Sequence, residues 1–274
     1  MTLRTEDHRI ATPQGGLFAR SWHPIIVGAA ETAADESCLP IVLFHDSLGS
    51  VELWREFPGL LAQAARRRVI AYDRLGFGQS DARHDTLTPA FIGDEAAATL
   101  PALRAQLGVE RFVALGHSVG GCMAICAAAA YPQEVAALVT IASQAYVEDR
   151  TRDGILAAEA GFADAAQFAR LQKYHGEKAR WVLEAWTRTW LAPQFAHWNL
   201  DAELARVQCP LLVLHGDRDE YGSVAHPRHI AGHAGGPATL HILADCGHLP
   251  HRERPDAVIA QLLAFLAAAD RAAA

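Results

Sequence analysis

At 274 residues, with 51% hydrophobic and 20% charged residues, the chain can bury a sizeable core as one large domain or one domain with an insertion. A net charge of −7 without any basic block argues against nucleic acid or an anionic membrane as a partner. The polar start Met1-Thr2-Leu3-Arg4-Thr5-Glu6-Asp7, the lack of a bilayer-length apolar run, and five cysteines with no C-x-x-C pair fit a reducing cytoplasm.

Residues 3–10 and 17–22 flank Thr12-Pro13-Gln14-Gly15-Gly16, which predicts two strands joined by a turn. Residues 28–38, rich in Ala, Glu and Ser, are expected as a surface loop. The apolar run Leu39-Pro40-Ile41-Val42-Leu43-Phe44 predicts a strand covered on both faces, closing at His45-Asp46-Ser47-Leu48-Gly49-Ser50. A helix seated on Pro58 and running to about Arg66 follows, then a buried strand, Val69-Ile70-Ala71-Tyr72. Thr88-Pro89 predicts a capped helix start; Leu100, Leu103 and Leu107 share its core face, Pro101 is expected to kink it and Gly108 to end it. Strand 111–115 and helix 119–130 bracket Ser118, and residues 136–141 form a further strand. This alternation predicts an α/β class: a mostly parallel, doubly wound sheet flanked by helices.

From 146 to about 206 the alternation stops and the chain reads as helices. Four of the six tryptophans fall here: Trp181, Trp186, Trp190 and Trp198. Trp186 and Trp190 are i, i+4 neighbours, expected to pack this subdomain onto the core and to line an apolar substrate pocket above Ser118. Strands resume at 209–214 and 239–243, and helix 255–269 closes the chain with Val258, Ile259, Leu262, Leu263 and Leu266 on its buried face.

Chemistry concentrates at Gly116-His117-Ser118-Val119-Gly120-Gly121. The G-x-S-x-G pattern between a strand and a helix marks a turn so tight that it needs glycine beside a strained central residue. Its hydroxyl is thrust out at a helix N-terminus, where free N–H groups favour negative charge. A serine hydroxyl is a weak nucleophile and needs a base, and the base needs an orienting carboxylate. Active groups in such sheets gather at the carboxyl ends of strands. That filter selects His248, just past the last strand, and Asp219, just past the one before, with Asp217 as the competing acid.

With these residues the chain resembles the α/β-hydrolase fold family along nearly all its length. The likeness is carried by Gly116-His117-Ser118-Val119-Gly120-Gly121, Gly216-Asp217-Arg218-Asp219, Gly247-His248 with Glu253-Arg254-Pro255, and Asp73-Arg74-Leu75-Gly76-Phe77-Gly78-Gln79-Ser80. The resemblance implies a core of residues 1–145 and 207–274 with a helical cap at 146–206. It also implies Ser118 as nucleophile, His248 as base then acid, and Asp219 as the residue orienting it. Two backbone N–H groups should form the oxyanion hole: Val119, and Ser47 with Leu48 as second choice. The family's usual His-Gly is His45-Asp46 in this chain, and an ionised Asp46 aimed into the hole would oppose the oxyanion, so it is expected to point outward. His117 and His45 are expected to hydrogen-bond and brace rather than react.

The expected activity is carboxylesterase-like hydrolysis of a small, partly apolar substrate through an acyl-enzyme, with no cofactor or metal implied. Ser118 in place of a carboxylate argues against the dehalogenase and epoxide-hydrolase branches. The alternatives are an enol-lactonase, for which Asp46-Ser47-Leu48-Gly49 is a hint, a C–C bond hydrolase of aromatic degradation, and a non-catalytic ligand-binding homologue. Oligomeric state and substrate identity are not legible in the chain.

Overall fold

The computed structural model describes residues 2–25 and 38–273. Among these, strands β1 (Thr2–Thr12), β2 (Gly15–Ile25), β3 (Ile41–Phe44), β4 (Val69–Tyr72), β5 (Phe112–His117), β6 (Val135–Ile141), β7 (Leu211–Gly216) and β8 (Ala238–Leu243) form one sheet. Their order is β1-β2-β4-β3-β5-β6-β7-β8. The β1–β2 hairpin joins β4 antiparallel, and all later pairings are parallel.

Parallel strands need crossovers, and crossovers place helices over both faces. Hence β3, β4, β5 and β7 are buried at every position. Alternate residues divide them between two cores. Val42, Phe44, Ile70 and Tyr72 pack under α2 (Phe91–Leu107) and α3 (Val119–Ala130). Ile41, Leu43, Val69 and Ala71 face the opposite core, with Phe57 and Leu61 of α1 (Phe57–Ala65) and Val258, Leu262 and Leu266 of α10 (Pro255–Ala273).

Between β6 and β7 the chain makes α4 (Asp149–Gly161), α5 (Ala165–His175), α6 (Ala179–Trp190) and α7 (Asp201–Leu204), the expected helical insertion. It belongs to the first core: Ile155, Leu171, Val182, Leu183, Trp186 and Trp190 are all buried in it.

Element boundaries differ locally from those expected. The helix expected from Thr88 starts at Phe91 without a side-chain cap, because the Thr88 carbonyl accepts the Phe91 N–H in a preceding turn. It runs on through Pro101, whose ring sits on the exposed side, and ends at Gly108 in the left-handed region, φ 64°. α10 extends past 269, and α8 (Ala225–His233) and α9 (Pro250–Glu253) were not foreseen. The loop expected at 28–38 lies, apart from Cys38, outside the described residues. No helix among the described residues is long and apolar enough to cross a membrane.

Candidate active site

β5 ends at His117, Ser118 turns at φ 54°, ψ −128°, and α3 begins at Val119. A non-glycine residue held there stores about 1–3 kcal/mol, which its surroundings must compensate. The Ser118 N–H donates to the Ile141 carbonyl at 2.8 Å, tying the turn to β6. The flanking glycines are steric necessities. A Cβ at Gly116 would lie 2.1 Å from the Gly120 carbonyl oxygen, and one at Gly120 would lie 2.1 Å from that of Phe44. The backbones therefore close on one another and leave Ser118 at the mouth of the turn.

Asp219 follows β7 and His248 follows β8, so both stand at the carboxyl edge of the sheet beside Ser118. The His248 Nδ1–H donates to both Asp219 oxygens, at 2.9 and 2.8 Å. Because a carboxylate only accepts, this fixes the proton on Nδ1 and leaves Nε2 free to take one. The Tyr221 and Gly222 N–H groups also donate to Asp219 Oδ1. Burial pushes the Asp219 carboxyl up, but the His248 bond and charge outweigh it and hold the group below its ordinary value. Burial likewise opposes a charge on His248, yet Asp219, with Glu220 and Asp46 beyond, raises its pKa above 6.5. Asp217 does not reach His248; it accepts the Cys246 N–H instead. Ser118 and His248 line the same cavity, with no hydrogen bond between them among the described contacts. Such bonds commonly tighten only once substrate is bound.

The loop after β3 is held from beneath. His45 Nδ1–H donates to the Asp46 carbonyl at 2.8 Å, and His45 Nε2 accepts the Arg74 N–H. Arg74 Nη2 donates to the same carbonyl at 2.7 Å. His45 is thus a brace, as expected. The Ser47 and Val119 N–H groups make no hydrogen bond among the described residues, and both residues line one narrow crevice with Trp186.

Asp46 does not point outward. Its carboxylate accepts the Leu48 N–H at 2.9 Å, approaches His117 Nδ1 at 3.3 Å and lines the cavity with Ser118. Burial works against its charge, but the His117 hydrogen bond and charge outweigh that and pull its pKa far down. Its negative charge is therefore met by the His117 ring and the Leu48 N–H. On its other nitrogen, His117 donates to the His248 carbonyl at 2.8 Å.

The cavity has a volume of about 280 Å³. Trp186 and Trp190 line it as expected, and Trp190 also packs on Phe195 and Trp198, so the packing and lining roles coexist. Tyr221, Gln144 and Ile155 were not anticipated as lining residues. Tyr221 had one available signal: it sits two residues beyond Asp219, and its ring meets that of His248 edge-on at 4.8 Å. Among the described residues no group of His, Cys, Asp and Glu side chains is arranged to hold a metal. Cys122 and Cys126 are buried free thiols, and burial pushes Cys126 up to about 12.

Residues 40–255 match a family model described as the alpha/beta hydrolase fold. The chain is 30% identical over 251 residues to a Pseudomonas putida protein named as the dihydrolipoyllysine-residue acetyltransferase component of an acetoin cleaving system. That match covers 84% of this chain and 64% of that protein. It is 32% identical over 102 residues to a Mus musculus (lyso)-N-acylphosphatidylethanolamine lipase, covering 37% of this chain and 29% of the relative. The chain thus spans under two thirds of either curated relative. Among solved structures, a 2-hydroxy-6-oxo-6-phenylhexa-2,4-dienoate hydrolase from a Rhodococcus species superposes with a TM-score of 0.77 at 21% identity, covering 96% of this chain and 99% of that one.

Proposed function

The chain belongs to the α/β-hydrolase fold family, and on that premise we propose that it is a serine hydrolase cleaving an ester-like bond of a small, partly apolar substrate. Ser118 Oγ attacks the carbonyl carbon while His248 Nε2 takes the hydroxyl proton, and Asp219 steadies the imidazolium that results. The Ser47 and Val119 N–H groups receive the oxyanion. His248 returns the proton to the leaving group, an acyl-Ser118 ester remains, and water deprotonated by His248 releases the acid. Residues 146–206 act as the cap, with Trp186 and Trp190 bounding the substrate.

The observation that carries this reading is the His248–Asp219 pair. The imidazole is held by two short bonds in the tautomer of a base, in the cavity that Ser118 also lines. Hydrolysis of short- to medium-chain p-nitrophenyl esters tests it. Ser118→Ala should lose several orders of magnitude in kcat/KM. An alanine variant as active as wild type would refute the reading.

A further inference from the structure

We propose that His175, the last residue of α5 in the helical insertion, is a positioning residue that fixes the loop bearing the Ser47 N–H; this rests on the function proposed above.

His175 is 2% exposed and spans two loops of the core. Its Nδ1 accepts the Gly78 N–H at 2.9 Å. A backbone N–H only donates, so Nδ1 carries no proton and Nε2 must carry one. That Nε2–H donates to the Leu48 carbonyl at 3.0 Å. Only the neutral, Nε2-protonated ring makes both bonds. Burial supports that state, lowering the His175 pKa to about 4.

Leu48 directly follows Ser47. Its N–H is tied to the Asp46 carboxylate and its carbonyl to His175, so both sides of this residue are pinned. The Asp46 carbonyl, on the other side of Ser47, is held by His45, Arg74 and the Gly49 N–H. The core supplies every one of these anchors except His175, which comes from the insertion. An oxyanion donor acts only if it is already aimed, and misplacement by about 1 Å can cost on the order of 10²-fold in rate.

The insertion is itself fastened to the other loop that His175 touches. Lys178 Nζ donates to the Phe77 and Gly78 carbonyls at 3.2 and 2.7 Å and also to that of Ser80. Phe77 meets the His175 and Trp181 rings edge-on. The insertion therefore has a seat of its own, and the Leu48 bond adds a tie to the catalytic loop.

Two substitutions separate these roles. His175→Asn keeps an acceptor near the Nδ1 position for Gly78 but cannot reach Leu48. His175→Gln extends a donor to the Leu48 carbonyl. Each is compared with wild type for kcat and KM on the best p-nitrophenyl ester. Each is also compared for inhibition by a trifluoromethyl ketone, which adds to serine and forms an oxyanion, and by the matching methyl ketone, which stays in the ground state. His175→Asn should lose about 10–100-fold in kcat with KM within about twofold. It should lose trifluoromethyl ketone affinity in parallel, keep methyl ketone affinity, and be restored largely by His175→Gln. Unchanged kcat in His175→Asn, or an equal fall in both variants with both ketones weakened alike, would overturn it. Ser118→Ala assayed beside them distinguishes the two readings: if it stays active, the hydrolytic mechanism fails; if it is dead while His175→Asn is unimpaired, only this proposal fails.

Discussion

Ser118 sits in a positive-φ conformation that costs energy, and Gly116 and Gly120 exist in their places because nothing larger fits. Its proposed base, His248, must be neutral to accept a proton. With its pKa raised above 6.5, activity should be full on the alkaline side and fall as pH drops through that raised value. Asp219→Asn removes the main group raising it. The acid limb of kcat/KM should move to lower pH while the maximum falls by on the order of 10⁴-fold; an unmoved limb would show that another group titrates. The proposed catalytic residues stand out in the sequence because each lies within five residues of a strand end, in a small local pattern. Asp46 does not. Its inward turn depends on His117, 71 residues further along, and no local pattern announces that partner.

At the scale of elements, the buried strands announced themselves by unbroken apolar runs, and α3 by small residues on every side. α8 gave no such signal, because the residues it buries are His226, Pro227 and Ile230, too few and too mixed for a helical stripe. The elbow works only if α3 meets β3 and β5 backbone to backbone. Gly120→Ala, pushed against the Phe44 carbonyl, should lower stability by at least about 1–3 kcal/mol, read from urea unfolding midpoints. A midpoint within error of wild type would mean the contact relaxes without cost. Helix α6 bounds the cavity through Trp186 and Trp190. Trp186→Ala should move the preferred p-nitrophenyl ester toward longer acyl chains, whereas an unchanged profile would place the substrate elsewhere in the cavity.

For the whole molecule, the doubly wound sheet followed from the alternation of strands and helices, and the insertion from its interruption. The packing of that insertion into the main core needed three dimensions. Several buried histidines should contribute to the response to acid. His45, His175 and His251 are nearly inaccessible, and burial holds each pKa below the ordinary 6.5. The unfolded chain therefore binds protons that the native state refuses, and stability falls as pH drops below about 6.5, continuing to about 4 for His175. Each such group adds up to about 1.4 kcal/mol per pH unit. His248, shifted the other way, offsets part of this near neutrality. Replacing His251, which packs among Trp54, Phe57 and His117, by Phe should flatten the decline between pH 6.5 and 5 in urea melts. An equally steep decline would exclude His251 as a source.

Every step of the proposed hydrolysis depends on Ser118 being an activated nucleophile. The most direct measurement is reaction of the intact protein with a fluorophosphonate, followed by peptide mass spectrometry. One stoichiometric adduct is expected, on Ser118, abolished by Ser118→Ala and slowed in Asp219→Asn. A protein that stays unlabelled, or labels on another serine, would contradict it.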